Sequence, residues 1–188
     1  MGRWQPDARG RLAQAAMELY TERGFEQTTV DEIAKRAGLT ERTFFRHYAD
    51  KREVLFGGAS ELQDLFADTL AGLPAGTSPM AAVGTTLEVV SAEFRERHAF
   101  AQQRHAVITA NAELRERELV KLTSLASTAA EALRLRGVKE PGASLAAEVC
   151  IAVFKVAFES WTASPGHTEL SVYVREALAE VKTVTAEA

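Results

Sequence analysis

Hydrophobic residues recur along this chain every three or four positions, and polar residues fill the gaps. Leu12, Ala15, Ala16, Leu19 and Tyr20 form one such stripe and predict a helix over 7–23. Gly24 ends it, with Phe25 as the apolar residue after the stop. Thr29 can then N-cap a second helix, with Glu32 closing a capping box three residues on. Ile33, Ala34 and Ala37 give that helix its apolar face, and Gly38 sits where a left-handed residue is favoured. Leu39 needs burial in the turn. Thr40 can cap a third helix over 41–47, whose Phe44 and Tyr48 face inward towards Leu19 and Ile33. Helix, glycine turn and helix within about twenty residues is the helix-turn-helix pattern. Its second helix is the element that enters a DNA major groove.

Further helical stripes follow. Leu55, Leu62, Leu65, Phe66, Thr69 and Leu70 predict a fourth helix over 51–73. Asp50 caps it, and its first residues Lys51 and Arg52 suit a backbone phosphate. Gly57-Gly58 inside it costs about 1 kcal/mol per glycine relative to alanine. The pair reads either as a bend or as a site of close packing. GLPAGTSP is a loop, and Ser78 with Pro79 opens a fifth helix lined by Val83, Leu87, Val90 and Phe94. A seventh helix over 112–136 carries Leu119, Leu122, Leu125, Ala126, Ala129 and Leu133, with Gly137 past its end. After KEPGAS, an eighth helix over 143–163 is apolar on more than one face. Thr168 caps a ninth, lined by Leu170, Tyr173, Val174, Leu178 and Val181. The expectation is an all-α chain of about nine helices: an N-terminal three-helix unit over 1–51, joined through helix four to a helical remainder over 52–188.

Composition narrows the possibilities. The chain has 188 residues, 46% hydrophobic and 26% charged, an ordinary soluble balance with ample material for a core. Its one cysteine, Cys150, excludes an internal disulfide and a cysteine-cluster metal site. Neither a signal peptide nor an apolar run of membrane length is visible, so a cytoplasmic protein without membrane contact is expected. Net charge is −4, with +1 over residues 1–51 and −5 over 52–188. So mild an asymmetry would not by itself point to nucleic acid. HExxH, GxSxG, P-loop and GxGxxG motifs are absent, and Cys150 lies within an apolar helix. No enzyme, cofactor or metal site is expected. His98 and His105, seven apart on a helix, lie about 10 Å apart along its axis, too far for one metal ion.

The outward side chains of the third helix carry the candidate chemistry. Arg42 can donate two hydrogen bonds to guanine O6 and N7, worth about 1–3 kcal/mol against a wrong base. Thr43 can meet a thymine methyl or a base edge, and Arg46 lies beside it. His47 and Lys51 suit phosphates, which set register without reading sequence. Thr29 and Thr40, at the two caps, complete the DNA-facing set. A solvated surface residue is the alternative for each. Arg3 and Trp4 read either as a frayed arm or as a minor-groove contact.

Residues 7–56 resemble the DNA-binding domain of TetR-family repressors. The resemblance is carried by AAMELYTERGFEQTTVDEIAKRAGLTERTFFRHYADKREVL: the ERGF helix end, the TT before the second helix, AGLT in the turn, TFFRHY, and Asp50-Lys51 with Leu55. Beyond these residues the likeness is one of length and helical character. Relatives usually carry Tyr where Phe45 stands, with its hydroxyl on a phosphate; Phe45 keeps only van der Waals contact with a sugar or thymine methyl. The resemblance implies a break near 98–100, hence helix five over 79–97 and helix six over 100–110. It implies a homodimer through helices eight and nine, in agreement with their apolar surplus, reading a palindromic double-stranded operator as a repressor. It also implies a small-molecule effector held among helices four to eight. Candidates to line that site are Phe66, Phe94, Phe154, Phe158 and Trp161, with Arg104 and His105 as polar partners; plain core packing and a solvated face are the alternatives. The second half also resembles TetR-type regulators that sense fatty acyl thioesters, so a hydrophobic ligand with a negative end is expected. The competing expectation is a helical small-molecule-binding dimer without specific DNA recognition.

Overall fold

The computed structural model describes residues 7–166 and 168–186; Arg3 and Trp4 lie outside them. Among the described residues the chain forms α1 (Ala8–Arg23), α2 (Val30–Arg36), α3 (Glu41–His47), a 3₁₀ turn (Glu53–Phe56), α4 (Ala59–Gly72), α5 (Pro79–Ala92), α6 (His98–Ala110), α7 (Ala112–Leu135), α8 (Gly142–Ala163) and α9 (Leu170–Thr185). No strand occurs among them. The all-helical fold expected from the periodicity is the fold observed.

Two compact units emerge. The first holds the residues up to Gly58 together with Gln103–Glu118; the second holds Ala59–Gln102 and the chain from Leu119 on. In the first unit, α1, α2 and α3 pack around Leu12, Met17, Leu19, Ile33 and Phe44, all at most 2% exposed. Val107, Ile108 and Leu114, from the 103–118 segment, join the same core. The local signals act as read. Thr29 accepts from the Glu32 amide while Glu32 accepts from the Thr29 amide, forming the reciprocal box. Gly38 takes φ 67° in the turn, and the Thr40 hydroxyl accepts from the Thr43 amide. Gly24, at φ 89°, ends α1 with its amide on the Tyr20 carbonyl.

In the second unit, α5 packs on α4, α8 and α9, and α8 and α9 pack along each other. Its core joins Phe66, Leu70, Leu87 and Val90 to Leu125 and Leu133 of α7, Cys150 and Phe154 of α8, and Val174 of α9. Arg136 donates to the carbonyls of Leu70, Leu73 and Pro74, closing the otherwise open end of α4. Burial pushes the Cys150 thiol up to about 12, as fits an unreactive core residue.

Three element ends differ from expectation. The continuous helix expected from Lys51 is a 3₁₀ turn, a break at Gly57-Gly58, and then α4. A Cβ on Gly57 would come within 3.2 Å of the Tyr48 ring and 3.3 Å of the Arg9 guanidinium, so close packing is what Gly57 serves. Helix five stops at Ala92 rather than Arg97. Residues 93–97 instead make successive turns in which each bonded amide reaches the carbonyl three residues back, with Glu96 at φ 61°. The buried Ser91 hydroxyl bonds the Leu87 carbonyl at 2.7 Å, and Phe94 turns onto the rings of α8. Glu169, rather than Thr168, precedes α9, because the Thr168 carbonyl is held by the Trp161 indole.

Phe44 is fully buried at the centre of the first unit. Phe44→Ala is expected to cost about 3–5 kcal/mol of unfolding free energy, read by urea denaturation followed by circular dichroism. A loss below about 1 kcal/mol would remove Phe44 from that role.

Candidate nucleic-acid interface

The third helix has only seven residues and is held from one side. Phe44 and Tyr48, one turn apart, are buried, and their rings lie 5.6 Å apart. The Tyr48 hydroxyl donates to the Arg9 carbonyl at 3.2 Å. Pinning that face leaves Glu41, Arg42, Phe45 and Arg46 exposed and Thr43 and His47 half-buried. Phe45 is 56% exposed, edge-on to Phe44. The Thr43 and Thr40 hydroxyls lie 3.1 Å apart. His47 Nε2 is buried and has no hydrogen-bond partner among the described residues, so that nitrogen does not face outward.

The cations of α1 to α3 are not distributed evenly in their pairing. Arg23 pairs with Glu32 at 2.9 Å, Lys35 with Asp31 at 2.6 Å, and Arg36 with Glu22 at 2.8 Å and Glu18 at 3.3 Å. The Arg36 contacts hold the Glu22 carboxyl below the usual carboxylate range. Arg9 donates to the Gly57 carbonyl and Arg11 to the Ala37 carbonyl. Arg42 and Arg46 make no ion pair or hydrogen bond among the described residues. Arg42 and Arg46 therefore place two cations without an ion pair on the exposed face of α3, the kind of charge that attracts a polyanion.

Behind α3 lies an ionic cluster that sequence reading does not reveal. Asp50 accepts from the Arg52 amide at 2.8 Å and the Arg52 guanidinium at 2.8 Å. Partial burial pushes the Asp50 carboxyl up, but these hydrogen bonds and the charges of Arg52 and Arg117 outweigh it, and the group titrates below the usual range. Arg52 also pairs with Glu113, and Arg117 with Glu53. The guanidinium carbons of Arg104 and Arg117 lie 5.3 and 5.9 Å from the Phe56 ring centroid. Arg104 donates to the Leu55 carbonyl at 2.6 Å and pairs with Glu118 at 2.9 Å. No local pattern announces this cluster, since Arg104 and Leu55 are 49 positions apart.

The candidate effector residues divide between the units. Phe94, Phe154, Phe158 and Trp161 form one aromatic cluster in the second unit, with centroids 5.6–6.1 Å apart, and Phe66 lies in the same core. His98 sits edge-on to Trp161 at 4.7 Å and bonds its carbonyl at 2.9 Å. Arg104 and His105 belong to the first unit. A surface groove of about 520 Å³ lies on α5 and α9, lined by Gly84, Glu88, Val89 and Leu178, away from the aromatic cluster. No group of three or more metal-ligating side chains occurs among the described residues, and none of their helices is long and apolar enough to cross a membrane.

A short helix pinned from one side after a glycine turn gives residues 30–47 the helix-turn-helix geometry. Residues 12–56 match the family model of bacterial regulatory proteins, tetR family. That match covers most of α1, all of α2 and α3, and the 3₁₀ turn after them. The chain is similar to the HTH-type transcriptional regulator TcmR of Streptomyces glaucescens, 36% identical over 88 residues; the match spans 47% of this chain and 39% of that protein. In fold it is similar to FadR of Thermus thermophilus, a TetR-family transcriptional repressor solved in complex with lauroyl-CoA (TM-score 0.60, 24% identity, 96% of each chain). It is likewise similar to SmeT, the repressor of the Stenotrophomonas maltophilia multidrug efflux pump SmeDEF (TM-score 0.62, 19% identity, 94% of this chain and 89% of that one). At these identities the structural likenesses concern the fold alone.

Because the Asp50 carboxyl is depressed in the folded state, its contribution to stability is complete above about pH 4 and is lost as pH falls through the folded value. Asp50→Asn is therefore expected to lower the thermal midpoint at pH 7 and to converge on the wild type as pH falls below the folded value. A constant offset across that range would show that the charge is not involved.

Proposed function

We propose that this protein is a homodimeric DNA-binding transcriptional regulator, a repressor released from a palindromic operator by a small hydrophobic ligand. The observation that carries this reading is the exposed face of α3, where Arg42 and Arg46 are left unpaired while Arg23, Lys35 and Arg36 are paired with carboxylates. Arg42 reads a base edge in the major groove, Thr43 and Phe45 contact neighbouring bases or sugars, and Arg46 meets the backbone. Thr29 and Thr40, at the N-caps of α2 and α3, and His47 through its outer ring edge, complete the contact set.

One seven-residue helix reads only a few base pairs, so twofold symmetry and a palindrome follow. The dimer surface we assign is α8 with α9. Leu145 and Val156 are 61% and 55% exposed, and with Val149 and Ala152 they continue a single stripe at spacings of four, three and four along α8. Val184, 71% exposed, extends apolar surface along α9. Contiguous apolar surface of this kind marks an interface.

The effector site we assign is the aromatic cluster of Phe94, Phe154, Phe158 and Trp161 with Phe66. Its rings suit a hydrophobic ligand, and the similarity to a lauroyl-CoA-bound FadR makes an acyl compound the first to test. Arg104 and His105 were candidates for an anionic end. Arg104 is already engaged by Leu55 and Glu118, so its part would be to stiffen the first unit. A ligand releases DNA only if it binds the DNA-incompetent state more tightly.

The test is selection of duplexes from a random-sequence pool by the full-length protein, then mobility shift with competitor, with and without lauroyl-CoA. A palindromic selected duplex, bound despite competitor and released by lauroyl-CoA, is expected. No enrichment would overturn the regulator, and indifference to lauroyl-CoA would overturn the acyl effector. Arg42→Ala is expected to lose about 1–3 kcal/mol per half-site on the selected duplex and far less on random DNA; equal losses would end its base-reading role. Leu145→Glu with Val156→Glu is expected to give a folded monomer in analytical ultracentrifugation, whereas an intact dimer would place the interface elsewhere.

A further inference from the structure

Lys51 follows α3 and would be expected to hold a backbone phosphate. Its surroundings point elsewhere. An ammonium has three N–H donors and no more. Lys51 Nζ lies 2.9 Å from the Phe25 carbonyl oxygen, 3.2 Å from that of Glu26 and 3.0 Å from that of Thr28. The same ammonium lies 4.4 Å from the Phe25 ring centroid. Three carbonyls of one loop therefore take all three donors. The backbone of Lys51 is held as well, because its carbonyl accepts from the buried Tyr20 hydroxyl at 2.6 Å. The loop it grips joins α1 to α2. Within it Phe25 is 3% exposed and Thr28 1%, and the Thr28 hydroxyl returns to the Gly24 carbonyl at 2.9 Å. The next residue, Thr29, is the N-cap from which α2 starts.

We infer that Lys51 is a positioning residue for DNA recognition and not a direct phosphate contact: its ammonium gathers the Phe25, Glu26 and Thr28 carbonyls and so sets where α2, and with it the helix-turn-helix, begins. This rests on the DNA-binding reading given above. A phosphate oxygen could reach Nζ only by displacing one of these carbonyls, leaving a partly buried acceptor without its donor. The lysine is suited to this task because a compact tetrahedral ammonium can address three converging oxygens. A planar guanidinium on a longer stem cannot reproduce that geometry while still carrying the charge.

That difference gives the experiment. Lys51→Arg and Lys51→Met are compared with the wild type on a duplex selected by the full-length protein and on a random-sequence duplex. Binding is measured over a series of salt concentrations, alongside thermal melting and amide exchange at Thr29–Glu32. The positioning role predicts that Lys51→Arg loses about tenfold on the selected duplex with little change on random DNA. Its salt dependence stays at the wild-type slope, and exchange at the start of α2 rises at temperatures well below the melting point. Lys51→Met should show the same loss of preference. A direct phosphate contact predicts the opposite: Lys51→Arg binds like the wild type, while Lys51→Met weakens both duplexes alike and lowers the salt slope by about one per protomer. That result would overturn the inference. Should Lys51→Met fail to fold, Lys51→Arg decides alone, since it keeps the charge. If the wild type selects no duplex, the DNA-binding reading fails; the clamp is still tested by exchange at Thr29–Glu32 in Lys51→Arg, where unchanged protection would overturn it.

Discussion

A seven-residue helix has too few hydrogen bonds to offset its own nucleation and does not persist alone in water. The proposed recognition surface exists only because Phe44 and Tyr48 are buried and hold α3 from one side. Everything else in the first unit can be traced to that need. Leu19 and Ile33 supply the surface against which Phe44 packs, and the caps at Thr29 and Thr40 start the two short helices at defined points. Gly57 has no side chain to separate Tyr48 from the turn that follows. The polar face of α3 is then presented outward as a consequence of what its apolar face must do.

Electrostatics complete the surface by subtraction. The net charge of residues 1–51 is close to zero, and ion pairs between α1 and α2 neutralise Arg23 and Arg36. Exposed pairs of this kind add little stability, typically below about 1 kcal/mol each. Their larger effect is on the field: they neutralise Arg23 and Arg36 while Arg42 and Arg46 stay unpaired on α3. The cluster around Phe56 is a different matter, because partly buried charges need their partners more than exposed ones do. It fastens the 103–118 segment to the 3₁₀ turn that follows α3, through Arg104, Arg117, Glu53 and the Arg52–Glu113 pair.

The second unit is organised by the opposite chemistry. Its core is aliphatic through α4, α5, α7 and α8 and becomes aromatic where Phe94 meets Phe154, Phe158 and Trp161. The long α8 buries one side in that core and leaves Leu145 and Val156 outside it.

Local signals determined much of this. Helical periodicity, the Thr29–Glu32 box, the Thr40 cap, Gly24 and Gly38 at helix ends, and the inward pair Phe44 and Tyr48 were legible because each acts over at most one turn of chain. Family resemblance over 7–56 was legible for the same reason, being carried by consecutive residues. What tertiary structure decided was every matter of partnership at a distance. Whether Lys51 meets solvent or three carbonyls, and whether Arg104 belongs with the aromatic residues or with Phe56, depends on which segments converge. So does the early end of α5 at Ala92, where Phe94 is drawn onto α8 and no glycine or proline marks the stop. Short-range rules place residues on faces, but the donors and charges on those faces find their partners only when the chain closes on itself.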